Sequence, residues 1–139
     1  MDRREDWPER LTALIDLRRA TPFAWGVQDC VTFAAAAIEA MTGADPLADL
    51  TRWNSREQAI QAISSLGSDL SHAVMARLGE PIMPTLARRG DLLLVETDVP
   101  GWPGGQALGV CIGAHAVAPG PVGLEWVNMD RWRAAWRIG

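Results

Sequence analysis

The sequence predicts an α+β fold in which N-terminal helices pack on a C-terminal antiparallel sheet. Three observations predict it. Helical periodicity with matching cap residues fills residues 8–78. After Gly90 the pattern changes to short apolar runs separated by Gly- and Pro-rich turns. No repeat, low-complexity tract or long linker divides the chain, so helices first and strands last describe one domain over residues 1–139.

The elements follow in order. Residues 8–19 read as an amphipathic helix with Pro8 in its first turn and Leu11, Leu14, Ile15 and Leu17 on its apolar side. Thr21-Pro22-Phe23-Ala24-Trp25-Gly26 ends it in a loop. Asp29 is placed to N-cap a second helix over 30–42, which Gly43 stops. Its Ala-rich stretch 34–37 implies close packing, hence a central, buried helix. Ser55 and Gln58 form a capping box that opens a third helix, ended at Gly67. A fourth spans about 69–78, with Gly79 after it. Strands are expected at 91–96, 107–112, 115–118, 123–128 and 134–138. A Gly/Pro-rich turn lies at 98–105, and another turn lies near Asp130. In this reading Arg89-Gly90-Asp91 is a turn glycine and a strand entry, not an adhesive motif.

Composition narrows the function classes. The chain has 139 residues and a formal net charge of −4, which argues against nucleic acid as a partner. All 13 basic residues are Arg. Bidentate anion recognition is one reading of that bias and GC-rich codon usage is the other. No apolar run reaches the roughly 20 residues of a membrane span. Residues 1–10 are too charged for a signal peptide, so synthesis in a cytoplasm is expected. Cys30, Cys111, His72 and His115 make neither a disulfide scaffold nor a metal-ligand pattern, and no cofactor is implied. Seven Trp with no Tyr suggest either core packing or interface anchors. Trp53 and Trp102 lie in polar or Gly/Pro-rich sequence and are the expected anchors.

The chemistry-bearing segment is Pro22-Phe23-Ala24-Trp25-Gly26-Val27-Gln28-Asp29-Cys30. It places a cysteine at the first turn of a buried helix, where unpaired N–H groups and the helix dipole favour a thiolate and can hold an oxyanion. Cys30 read instead as a small buried residue is the competing view.

These residues resemble the NlpC-type, papain-like cell-wall peptidases. That family carries Tyr-x-Trp-Gly before an Asp-Cys pair, then a Gly-Asp-Leu strand entry, then His-x-Gly-Ile-x-Ile-Gly. Here stand Phe23-Ala24-Trp25-Gly26, Asp29-Cys30, Gly90-Asp91-Leu92 and Ala107-Leu108-Gly109-Val110-Cys111-Ile112-Gly113. The resemblance implies Cys30 as nucleophile in a cleft lined by Trp25, Gly26, Asp29 and Ala107. It also implies the departures. The family's histidine position is Ala107, its third polar position falls near Pro119, and its Ser-Gly after the nucleophile is Val31-Thr32. His115, just past the strand, is the substitute base to consider. His72 is expected on the polar side of the fourth helix, away from the cleft.

A resemblance over nearly the whole chain is to short proteins of phage, prophage and gene-transfer-agent tail clusters. It rests on Pro22-Phe23-x-Trp25-Gly26-x-x-Asp29-Cys30, Thr42-Gly43-Ala44-Asp45-Pro46, Arg89-Gly90-Asp91, residues 107–113 and Ala135-Trp136-Arg137-Ile138. It implies a structural component of a tail tip or baseplate hub, located in the virion tail and assembled in the bacterial cytoplasm. Its partners would be other tail-tip proteins, with a peptidoglycan peptide as a further ligand. The alternative is a cysteine peptidase or amidase that cuts stem peptides during DNA injection. A third reading is a host-encoded module that keeps a cleft for a cell-wall peptide.

Overall fold

The computed structural model describes residues 1–98 and 102–139, so residues 99–101 of the Gly/Pro-rich turn lie outside the described part. The element order is α1 (Trp7–Arg18), α2 (Cys30–Thr42), α3 (Arg56–Ser64), α4 (Leu70–Leu78), β1 (Leu92–Glu96), β2 (Gln106–Cys111), β3 (His115–Pro119), β4 (Leu124–Asn128) and β5 (Trp132–Trp136). A 3-10 turn, Met129–Arg131, joins β4 to β5. The α+β arrangement read from the sequence is present, with helices N-terminal and strands C-terminal.

The caps explain the helix boundaries. Asp29, Ser55 and Asp69 each stand in extended backbone and accept the N–H three residues on, from Thr32, Gln58 and His72. Gly43 ends α2 in the left-handed region, and its N–H returns to the Glu39 carbonyl. Helix α2 has a largely apolar circumference. Phe33, Ala37 and Met41 are fully buried, α1 covers one side and β2 and β3 another.

All pairings in the sheet are antiparallel, in the order β4-β3-β2-β1-β5. This sheet cannot be flat. A flat sheet would hold β4 and β5 about 19 Å apart, across four strand spacings. Yet Asn128 and Trp132 are four residues apart, a reach of at most about 14 Å. The sheet therefore curls toward a barrel. The Trp132 indole closes the curl by donating to the Val127 carbonyl at 3.1 Å, and a bulge at Arg133, opposite Leu94/Val95, bends β5 where it meets β1. The last strand begins two residues earlier than expected and stops at Trp136. The reason is that the Ile138 N–H turns to the Asp91 carboxylate instead of a strand partner.

Asp91 is 2% exposed and ties Arg3 and Ile138 to the strand entry. It takes the Arg3 guanidinium at 2.9 Å, the Arg88 N–H at 2.9 Å and the Ile138 N–H at 3.3 Å. Arg3 also donates to the carbonyls of Arg89 and Ile138. Burial lowers the Arg3 pKa, and Asp91 opposes that shift. Gly90 has φ +93°, and a Cβ there would lie 2.7 Å from the Arg3 guanidinium and 2.8 Å from the Met41 sulfur. Arg89-Gly90-Asp91 is thus a turn and a buried anchor.

Removing Arg3 would strand a buried carboxylate. Arg3→Ala is expected to destabilise by roughly 3–5 kcal/mol, the usual effect of breaking a buried pair from one side. A denaturant melt checks it, and an unchanged midpoint would mean that water reaches Asp91 freely.

Candidate functional site around Cys30

The site is built from the loop that precedes α2. The Phe23 N–H holds this loop to the β3–β4 turn by donating to the Gly120 carbonyl at 2.9 Å. Gly26 turns the chain with φ +80°, and a Cβ there would lie 1.9 Å from the Trp53 carbonyl oxygen. The crowding at Gly26 comes from the loop before α3.

Asp29 is fully buried and its carboxylate is saturated. Oδ1 accepts the Thr32 N–H at 2.8 Å. Oδ2 accepts the Gly26 N–H at 2.7 Å, the Thr32 hydroxyl at 2.9 Å and the Trp53 indole N–H at 2.8 Å. Four donors on two oxygens leave it no role as a base, and make it the bolt between three segments. Gln28, also fully buried, is engaged with Arg18 through a 2.7 Å bond to its side-chain oxygen.

Cys30 opens α2, as expected, but it is only 2% exposed. The indole of Trp102 covers it and donates to its sulfur at 2.7 Å. The backbone at Leu108 and Val31 also bonds to the sulfur. Trp102 in turn is packed edge-on by Trp25, with ring centroids 5.7 Å apart, and Phe23 meets Trp25 the same way at 5.0 Å. Desolvation is the largest influence on the thiol, with the Asp29 charge adding to it. Together they push its pKa up to about 12, against the lowering effect of the Leu108, Trp102 and Val31 bonds. The sequence-based expectation that the helix N-terminus favours a thiolate is corrected here. Burial removes the water that a charged sulfur needs, and this outweighs the oriented N–H groups.

The expected anchors Trp53 and Trp102 are corrected as well. Each is 5% exposed. Both lie in polar or Gly/Pro-rich sequence, but a buried carboxylate and a buried sulfur each take an indole N–H, which draws the rings inside. Trp25, which the resemblance places in the cleft lining, is half-buried and packs against the rings of Phe23 and Trp102. Of the seven Trp, Trp126 alone is exposed, at 66%.

The remaining expected site residues do not converge on Cys30. Ala107 is buried in β2 beside Leu108 and carries no proton-transfer group. Pro119 ends β3 opposite Leu124. His115 lies at the other end of the strand pair. Its carbonyl accepts from Ile112, four residues along β2 from Leu108, or about 13 Å of strand. The His115 ring rests on Trp126 at 4.7 Å. His72 sits on the exposed side of α4, 2.6 Å from the Asp69 carboxylate that caps the same helix. Among the described residues no group of three or more His, Cys, Asp or Glu is placed to hold a metal ion.

The role of Asp29 in gathering Gly26 and Trp53 was missed from the sequence. A partial signal was there, because a capping Asp before a buried helix has a second oxygen that needs donors. Nothing local pointed to Trp53, 24 residues away.

A family model described as a domain of unknown function, DUF6950, matches residues 2–138. None of the curated proteins matches the chain.

Two outcomes are expected. First, thiol reagent at pH 8 leaves both cysteines unlabelled in the folded protein and labels both in urea, since Cys111 too is buried and its pKa raised by desolvation. The raised Cys30 pKa also sets a pH window. The unfolded thiol ionises near 9 and the folded one near 12. Ionisation of this group therefore leaves stability unchanged below pH 9 and lowers it, by up to about 4 kcal/mol, as pH rises from 9 toward 12. Rapid labelling of Cys30 at pH 8 would contradict the buried thiol. Second, Trp53→Phe keeps the ring bulk but removes one donor from Asp29, and is expected to cost about 1–3 kcal/mol in a denaturant melt.

Proposed function

The chain belongs to the DUF6950 family, and we propose that it serves as a structural component of a phage or phage-like tail tip, on a peptidase-like fold without efficient hydrolysis. The observation that carries this reading is the state of Cys30. A papain-like reaction needs a thiol proton removed before attack and a proton delivered to the leaving amine. Here the thiol is 2% exposed, roofed by Trp102 and protonated at every physiological pH. Neither Ala107 nor Pro119 can carry a proton, and His115 is committed to Trp126.

The assembly half of the reading rests on the tail-cluster resemblance, with the surface re-assigned. Trp53 and Trp102 are interior, so docking is carried by exposed apolar groups. The foremost is Trp126 on β4, with Val122 in the preceding turn 82% exposed and Met129 after the strand 51% exposed. Aromatic side chains of this kind supply most of the binding energy in many interfaces.

Two measurements test the proposal. Purified protein incubated with muropeptides is expected to release no product above the Cys30→Ala control. Loss of general acid–base help alone slows such a reaction by about 100- to 10,000-fold. Cleavage that disappears in Cys30→Ala would replace the structural reading with the peptidase one. Separately, the chain is expected to co-sediment with tail particles, and Trp126→Ala to weaken that association while changing stability by about 0.5 kcal/mol or less. A protein absent from particles would remove the tail-tip assignment.

A further inference from the structure

At the opposite end of α2 from Cys30, about 20 Å away along its 13 residues, four arginines surround one depression. Arg3, Arg88, Arg89 and Arg137 line it together with Trp7 and Asp91, around a volume of about 350 Å³. The chain as a whole is acidic, at −4, so this local excess of positive charge is not a reflection of composition. Gly139 completes the lining, and among the lining side chains four guanidinium groups meet one carboxylate. That carboxylate, Asp91, is already held by Arg3 and by two backbone N–H groups.

The contrast with the other arginines sharpens the point. Of the nine arginines outside the depression, six (Arg10, Arg19, Arg52, Arg77, Arg131 and Arg133) lie against an Asp or Glu, and Arg18 donates to Gln28. In the depression, Arg89 donates to the Thr12 hydroxyl and not to a carboxylate. The side chains of Arg88 and Arg137 are exposed and have no hydrogen bond or ion pair among the described residues. Like charges gathered in this way repel one another, and an anion that bridges them relieves the repulsion. The geometry is also held in place. Trp7 carries the Arg3 guanidinium 4.2 Å from its ring centre and that of Arg89 at 5.9 Å, and the Arg3–Asp91 pair fixes the floor.

We propose that this depression is an oxyanion site. Arg88, Arg89 and Arg137 clamp a phosphate or carboxylate group by charge-assisted, forked hydrogen bonds, and Arg3 and Trp7 position them. The inference is independent of the tail-tip reading, and of any chemistry at Cys30. The four guanidinium groups line one depression, an arrangement suited to a single anionic group. It also gives the all-Arg composition a use at this place, since planar forks serve a bidentate clamp better than Lys does.

The test is calorimetric titration of the whole protein with inorganic phosphate and, separately, with succinate. Sodium chloride at matched ionic strength is the control, and backbone amide shifts are followed in parallel. Saturable binding with shifts confined to residues 88–91 and the segment around Arg137 is expected. Binding of phosphate alone or succinate alone would support the site and name its anion. Arg88→Gln with Arg137→Gln should weaken binding at least about tenfold per guanidinium removed. Both side chains are exposed, so the melting midpoint should be unchanged. No saturable heat beyond the chloride control, or binding unaffected by the double variant, would overturn the proposal. So would preferential binding of an oligonucleotide with an affinity that grows with its length, because that marks an extended polyanion surface.

Discussion

A single buried carboxylate organises the N-terminal half of this protein. Asp29 sits where the 20s loop becomes helix α2, and its oxygens receive donors from the loop, the helix and the segment before α3. A buried carboxylate is tolerable only when its lone pairs are filled. That requirement fixes Gly26 in its turn and draws Trp53 inward. The position of Cys30 follows, since it is the next residue. Trp102, in contact with both the sulfur and Trp25, then extends the same packed unit to the β1–β2 connection.

The C-terminal half depends on a different constraint, which is curvature. With only Met129–Arg131 between them, β4 and β5 are compelled to approach each other, although three strands lie between them in the sheet order. Small residues make room for this. Ala116, Ala135 and Gly109 are placed where a larger side chain would hold the curled layers and helix apart, and the first two are fully buried. A Cβ on Gly109 would press to 3.2 Å from the Val117 carbonyl. The two halves meet where α2 lies on β2 and β3, and there the backbone of Leu108 reaches the Cys30 sulfur.

The sequence made the architecture readable because caps and periodicity are local. Asp29, Ser55, Asp69 and Gly43 name their own positions in a helix, and the apolar runs after Gly90 could hardly be anything but strands. The start of β5 was misplaced because Trp132 is recruited by the distant Val95 and by the carbonyl of Val127, five residues back, and its neighbours announce neither. The environment of Cys30 was harder still. Its place at a helix N-terminus is a local fact and was legible. Its roof is Trp102, 72 residues away. Polar and Gly/Pro-rich flanks made Trp102 look like a surface residue, just as Arg52 and Asn54 did for Trp53. Whether a thiol is a nucleophile or a packing atom is decided by such distant partners.

The clamp at Asp91 has a consequence for the order in which the chain can fold. Arg3 and Ile138 are 135 residues apart in sequence, yet the guanidinium of one bonds the carbonyl of the other. During synthesis, α1 and α2 can pair early, because their contacts are close along the chain. Asp91, however, lacks the third of its donors until Ile138 emerges, and β1 lacks its β5 edge for the same interval. Contacts of this separation slow folding, since the loop must close before they form. The segment around Ile138 therefore acts as the latch of the molecule. A chain stalled before β5 emerges would present a finished helical layer and an open strand edge, a state prone to pairing with another copy of itself.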